Sequence, residues 1–375
     1  MNKMISKSDL KFIVGLALVW WFSLSVFSFF SLSFLPKIVN GQLVPSGIQP
    51  FNFISPWAGW DGGHFLGIAK FGYLYPFQYA FFPLFPLLIR VFSPLFGGNL
   101  LASGLILSNF FLFLALIFFF KLCRLDFSLD TARKALFFVL IFPTSFFFAA
   151  VYSESLFLFL VLGSFYFARQ KNWLVASFLA ALASATRVLG ILLFVTLLFE
   201  YFYQRKFKLK LDHNFFLIFL SPLGFCFYLL YLKFATGNPW IFLEAQGYWQ
   251  RVASFPWQTL LNYGSFILGI NSVGTPSYAQ IVLEFSTAII FLLILIFSSF
   301  RIRASYLFFG FFYLFATLAT GSLLSQPRLA LAIFPVFLTL VLWAQNKIFD
   351  FFVTFLSLLL LALFLSLFLN GFWIA

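Results

Sequence analysis

Long apolar runs separated by short polar turns dominate the chain, and the length of each run decides what it forms. A run of about 20 apolar residues fits a membrane-crossing helix. Such runs, or slightly shorter ones, are read at 12–35, 99–121, 135–151, 155–169, 173–187, 188–203, 214–234, 278–300, 304–323, 328–345 and 350–371. The pattern therefore predicts about 11 transmembrane helices. Segment 76–97 is equally apolar, but Pro76, Pro83, Pro86 and Pro94 each remove a backbone donor and Arg90 lies within it.

Basic residues decide how that segment is read, because cytoplasmic loops are rich in Lys and Arg. If 76–97 does not cross, only Lys37, Lys70, Arg90, Arg187, Lys233, Arg251 and Arg328 of the 23 basic residues lie off the N-terminal side of the membrane. A crossing would invert that bias downstream. The segment is therefore expected to be interfacial or re-entrant, with the N-terminus cytoplasmic and the C-terminus outside. Lys3, Lys7 and Lys11 precede the first run as a signal peptide's charges would, but 12–35 is longer than a signal core and lacks a small-residue cleavage pattern. It is expected to stay as the first span.

Composition agrees: 63% hydrophobic, 9% charged, mean hydropathy +1.04 over 375 residues. These values lie outside the range of soluble domains. The net charge of +13 sits in short clusters between apolar runs, which excludes a nucleic-acid surface and leaves topology as its meaning. Cys123 and Cys226 are too few for a disulfide framework and read as packing residues. The many phenylalanines read as lipid-facing and helix-packing surface. A single integral-membrane domain over 1–375 is expected, with a first external loop at 36–98 carrying interfacial helices and a second at 235–277.

This topology gathers the unusual polar residues on one side. Asp61 stands in GWDGGHFLGIAKFGY, where Asp-Gly reads as a solvated turn; beside Trp57, Trp60 and two glycines, at the start of a short helix, it also reads as an ionised general base. His64 either bonds its own loop, orients Asp61 or contacts a phosphate. No other His, Cys or DxD pair accompanies it, so neither a metal nor a cofactor is expected. Tyr152, Ser153, Glu154 and Ser155 form either a plain polar turn or a functional one, since carboxylates at bilayer level mark function or a charge partner. Arg187, in ATRVLGI, pairs with Glu154 or binds an anionic phosphate, and Arg328, in SQPRLALAIFP, allows the same two readings with help from Gln326.

Taken together, WDGGHFLGIAKFGY, AFFPLFPLLIR at 80–90, FPTSFFFAAVYSESLFLFL at 142–160, ATRVLGI at 185–191 and QPRLALAIFP at 326–335 resemble the PIG-V mannosyltransferase family, in order through most of the chain. WDGxHF and YSESLF are the specific blocks. Gly59 stands where the family tends to a polar residue, and Leu329 where it tends to an aromatic one. The resemblance implies a GT-C glycosyltransferase fold, a polyprenyl-phosphate sugar donor with mannose as the sugar, and a glycolipid or glycan acceptor. It implies Asp61 as catalytic base and substrate-binding roles for Trp60, His64, Tyr152, Ser153, Glu154, Arg187, Gln326 and Arg328. It also makes a small membrane subunit a candidate partner. The compact chain implies a prokaryotic plasma membrane with the active site on its extracytoplasmic face. The rival readings are a lipid or glycolipid transporter or flippase, which places charges within several helices, and a purely structural subunit, in which Asp61 and Arg187 are replaceable.

Overall fold

A computed structural model describes residues 6–39, 42–44, 52–209, 211–269, 273, 275–298 and 301–374. Its helices in chain order are α1 (Lys7–Phe34), α2 (Asp61–Phe71), α3 (Leu84–Phe92), α4 (Leu100–Asp126), α5 (Leu129–Ile141), α6 (Glu154–Arg169), α7 (Trp173–Thr186), α8 (Leu192–Gln204), α9 (His213–Leu217), α10 (Leu223–Thr236), α11 (Ile241–Gln246), α12 (Pro256–Leu268), α13 (Pro276–Phe297), α14 (Ala304–Leu318), α15 (Gln326–Leu329), α16 (Phe334–Trp343) and α17 (Lys347–Leu369). A helix stands at each of the 11 expected positions, making this an all-α, multi-pass membrane protein. Among the described residues five are long and apolar enough to cross a bilayer: α1, α4, α13, α17 and the stretch His213–Thr236. A sixth follows if Gln326–Ala332 and Phe334–Trp343, bent by 83° at their junction, count as one span. The rest are shorter, because residues such as Arg187 and the 142–153 turn interrupt the helical backbone.

Two compact units are present. Unit 1 comprises 1–70, 85–159 and 340–374. Here α1 packs along α17, α4 and α5. Ser6 caps α1 by accepting from the Asp9 N–H, which satisfies one of the four donors a helix start leaves open. Asp9 then pairs with Arg133 at 3.2 Å, and Lys134 with Asp350 at 2.6 Å. Near the other end of α1 the Asn370 amide donates to the Ser31 hydroxyl at 2.7 Å, and the Asn370 carbonyl accepts from Ile38 at 2.8 Å. Ile38 belongs to β1 (Lys37–Val39), paired antiparallel with β2 (Gln42–Val44).

Unit 2 comprises 71–84 and 160–339. Lipid supplies little hydrophobic drive between helices, so small residues and backbone approach take over. At the α7–α10 contact a side chain on Gly224 would meet the Ala181 carbonyl at 2.0 Å, and the Ser184 hydroxyl accepts from the Phe225 N–H at 3.0 Å. Segment 76–97 folds as the 3-10 turns 76–80 and 93–96 around the short α3, each too short to span. Phe82 packs into a buried cluster with Tyr228, Leu232 and Phe242. The expected loop 235–277 carries α11 and α12, the latter opened by Pro256, whose missing N–H costs nothing at a first helical position.

Candidate active site

In unit 1 the site is built from two turns that the sequence keeps about 90 residues apart. Trp60 ends the first with a left-handed φ of 55°, and α2 begins at the next residue, Asp61. Asp61 is therefore buried in the first helical turn, where the positive end of the helix dipole favours a carboxylate. The second turn clamps the first: the Val151 N–H donates to the Trp57 carbonyl at 3.0 Å, and the Tyr152 hydroxyl donates to the Gly59 carbonyl at 2.9 Å. Gly62 allows this approach, since a Cβ there would lie 3.3 Å from the Val151 oxygen. Tyr152 is itself fixed, its ring edge-on to Phe147 at 4.9 Å and Phe65 at 6.4 Å. Trp60 stays 44% exposed, resting edge-on against Trp373 at 5.0 Å.

His64 lies one turn along α2, half-buried. Burial lowers its pKa from the ordinary imidazole value, and the Asp61 charge offsets part of that. The ring is thus biased to the neutral form beside a carboxylate. Ser153 and Glu154 are buried, Glu154 opening α6 as Asp61 opens α2, and the Ser155 hydroxyl turns back to the Phe148 carbonyl at 2.7 Å. Two acids in one unit thus occupy helix starts. Beside the Trp57 turn runs an apolar cavity of about 220 Å³ lined by Trp21, Leu24, Phe53 and Trp57; a neighbouring one of about 430 Å³ shares Ser25 and Phe53 with it.

In unit 2 Arg187 ends α7 with extended backbone, half-buried, before the 3-10 turn 188–191. That turn folds so closely on α7 that a Cβ on Gly190 would lie 2.3 Å from the Ala183 carbonyl. Gln326 and Arg328 are buried in the short α15, entered through Ser325 at a left-handed φ of 68°. The Arg328 guanidinium donates to the Ser325 hydroxyl at 3.3 Å. The Gln326 side chain is fully buried, and among the described residues neither its oxygen nor its nitrogen has a hydrogen-bond partner. An orphaned buried polar group costs about 1–3 kcal/mol.

Sequence reasoning missed the residues that hold this loop. Glu284, buried within α13, accepts from Gln280 at 3.0 Å and from the Ser325 N–H at 3.3 Å. The Tyr263 hydroxyl accepts from Leu323 at 2.9 Å, and Arg251 donates to the Leu324 carbonyl at 3.0 Å. A lone acid inside an apolar helix was the available signal. Glu200, wholly buried in α8, is the second such case, gripped by Arg303 through bonds of 2.7 and 3.0 Å. Among the described residues, no three His, Cys, Asp or Glu cluster as a metal site would require.

The chain is similar to GPI alpha-1,6-mannosyltransferase 2 of rat, 37% identical over 145 residues, and of mouse, 38% over 145; in each case 35% of this chain aligns with 29% of the relative. The human protein of that name is 41% identical over 110 residues, 26% of this chain and 22% of its own. The match thus spans under a third of these relatives' length. Among solved structures, the Archaeoglobus fulgidus oligosaccharyltransferase in the apo form superposes with a TM-score of 0.49 at 13% identity, over 96% of this chain and 56% of that one. Residues 48–250, which hold the WDGGH and YSES turns and Arg187, match the family profile described as Mannosyltransferase (PIG-V), and the chain belongs to that family.

Proposed function

We propose that the protein is a GT-C glycosyltransferase that moves mannose from a polyprenyl-phosphate donor to a hydroxyl of a lipid-linked or cell-envelope glycan, on the extracytoplasmic face. The observation that carries this reading is Asp61: a buried carboxylate at a helix start, in a turn fixed by the Tyr152 and Val151 hydrogen bonds. In the reaction the acceptor oxygen attacks the anomeric carbon as its proton passes to Asp61. The bond from that carbon to the phosphate oxygen breaks, and polyprenyl phosphate leaves with inversion of the centre. A phosphate leaving group needs little acid help, so a positioned base and charge stabilisation suffice.

Arg187 and Arg328 receive the phosphate charge, which a planar guanidinium suits. Gln326 supports this assignment, because its buried amide has both a donor and an acceptor to offer a substrate oxygen or hydroxyl. Trp60, Ser153 and Glu154 take part in binding the acceptor sugar, and His64 keeps Asp61 oriented. The apolar cavities beside Trp57 suit a lipid chain.

The test is mannosyl transfer from labelled polyprenyl-phosphate mannose in membranes carrying the full chain. Asp61→Asn keeps the shape and removes the base, so transfer should fall by roughly 10²–10⁴ with insertion unchanged. Full activity in that variant removes Asp61 from the chemistry. Movement of the lipid across the bilayer without sugar transfer would instead identify a flippase.

A further inference from the structure

A further cavity, in unit 2, lies at the end of α7 away from Arg187. Its volume is about 590 Å³, and its walls include Arg169, Lys171, Lys206 and Arg303 with Tyr203 and Phe207. The 14 residues of α7 put about 20 Å between Lys171 and Arg187 along the axis, so this is not the phosphate site discussed above. Four cations line one concavity, and Glu200 holds one of them, Arg303, by two bonds. Arg303 lies over the Tyr203 ring at 4.7 Å, and Arg169 donates to the Tyr306 hydroxyl, which fixes both guanidinium groups. Lys171 and Lys206 are exposed and make no ion pair among the described residues.

The backbone fixes the rim of the cavity. Lys171, Lys206 and Phe207 have φ of 61°, 52° and 58°, half of the described non-glycine residues in the left-handed region. All three border this cavity, closing α6 and α8 where glycine is usual. The Asn172 N–H donates to the Phe167 carbonyl at 2.9 Å and the Phe207 N–H to the Phe202 carbonyl at 2.8 Å, so these left-handed caps close the two helices and hold the rim of the cavity in place. The surroundings choose the ligand. The cavity sits at the ends of apolar helices, Phe207 is 62% exposed in it, and its volume exceeds what a bare ion fills. A phosphodiester with glycerol and acyl carbons meets cations and aromatic surface together at that depth.

We propose that this cavity binds the phosphate headgroup of an anionic membrane lipid. The proposal is independent of the mannosyltransferase reading. The experiment titrates palmitoyl-oleoyl phosphatidylglycerol, and phosphatidylcholine as reference, onto the full chain in neutral detergent, with bound lipid counted by native mass spectrometry. Lys171→Gln with Lys206→Gln should weaken phosphatidylglycerol binding by roughly 30-fold, about 5-fold for each surface cation. Lys171→Arg with Lys206→Arg should restore it. Arg301→Gln with Lys208→Gln removes the same charge outside the cavity and should cost under about 3-fold. Equal binding by wild type and the double Gln variant overturns the proposal. So does an equal loss in the Arg301 and Lys208 control, which would mean a diffuse field. A parallel arm with inorganic phosphate decides the source: phosphate binding that depends on both lysines, with no preference for phosphatidylglycerol, overturns the lipid assignment.

Discussion

Tyr152→Phe isolates what the clamp on the Asp61 turn contributes. The substitution removes one oxygen from a ring that is 1% exposed and keeps its contacts with Phe65, Phe147 and Phe368. What is lost is the 2.9 Å bond to the Gly59 carbonyl, worth about 0.5–1.5 kcal/mol net. The turn keeps its second tie, Val151 to Trp57 at 3.0 Å, so it loosens without detaching. If that loss falls wholly on placement of the carboxylate, about 1 kcal/mol lowers kcat by about 5-fold and leaves KM little changed. Steady-state transfer at saturating donor measures the rate, and amide hydrogen exchange over 55–65 measures the turn. Faster exchange with kcat unchanged would refute the link between clamp and catalysis. A fall beyond about 10³ would refute it from the other side, since a hydrogen bond of that size cannot account for it.

Three further outcomes are expected. Gly190→Ala places a carbon 2.3 Å from backbone that cannot yield and should abolish folded protein, whereas Gly15→Ala in α1, with nothing within 4 Å, should be tolerated in the same expression and gel-filtration assay. Glu200→Gln leaves Arg303 without its carboxylate and should destabilise by about 3 kcal/mol, the low end for a broken buried pair because Arg303 keeps 19% exposure; thermal unfolding in detergent reads it. Because burial lowers the His64 pKa, the unfolded chain binds more protons between the folded value and about 6.5, so stability falls as pH drops through that window. The drop in melting temperature between about pH 7.5 and 5.5 should shrink in His64→Gln; an unchanged slope would remove His64 as its source.

Much of this was legible from residue order alone. Run lengths placed a helix at each expected position, and segment 76–97, set apart by its four prolines, folds as helical pieces too short to span. WDGGH and YSES were singled out as blocks, but their contact was not readable, because it depends on where α4 and α5 return the chain. The helix count was less legible: hydropathy averages over a run and does not register that Arg187 or the 142–153 turn stops the backbone. The same averaging hid Glu200 and Glu284, single acids diluted by apolar neighbours, although each organises a buried polar network. Whether a buried amide such as Gln326 finds partners is decided by geometry that no spacing encodes.

The contact between Trp60 and Trp373 gives the WDGGH turn an optical signature. Two indoles 5.0 Å apart couple their electronic transitions, so the pair should contribute a band to the near-ultraviolet circular dichroism. Subtracting the spectrum of Trp373→Phe would single out that band from the other eight tryptophans. The sugar binding proposed for Trp60 would then be followed without any label on the substrate.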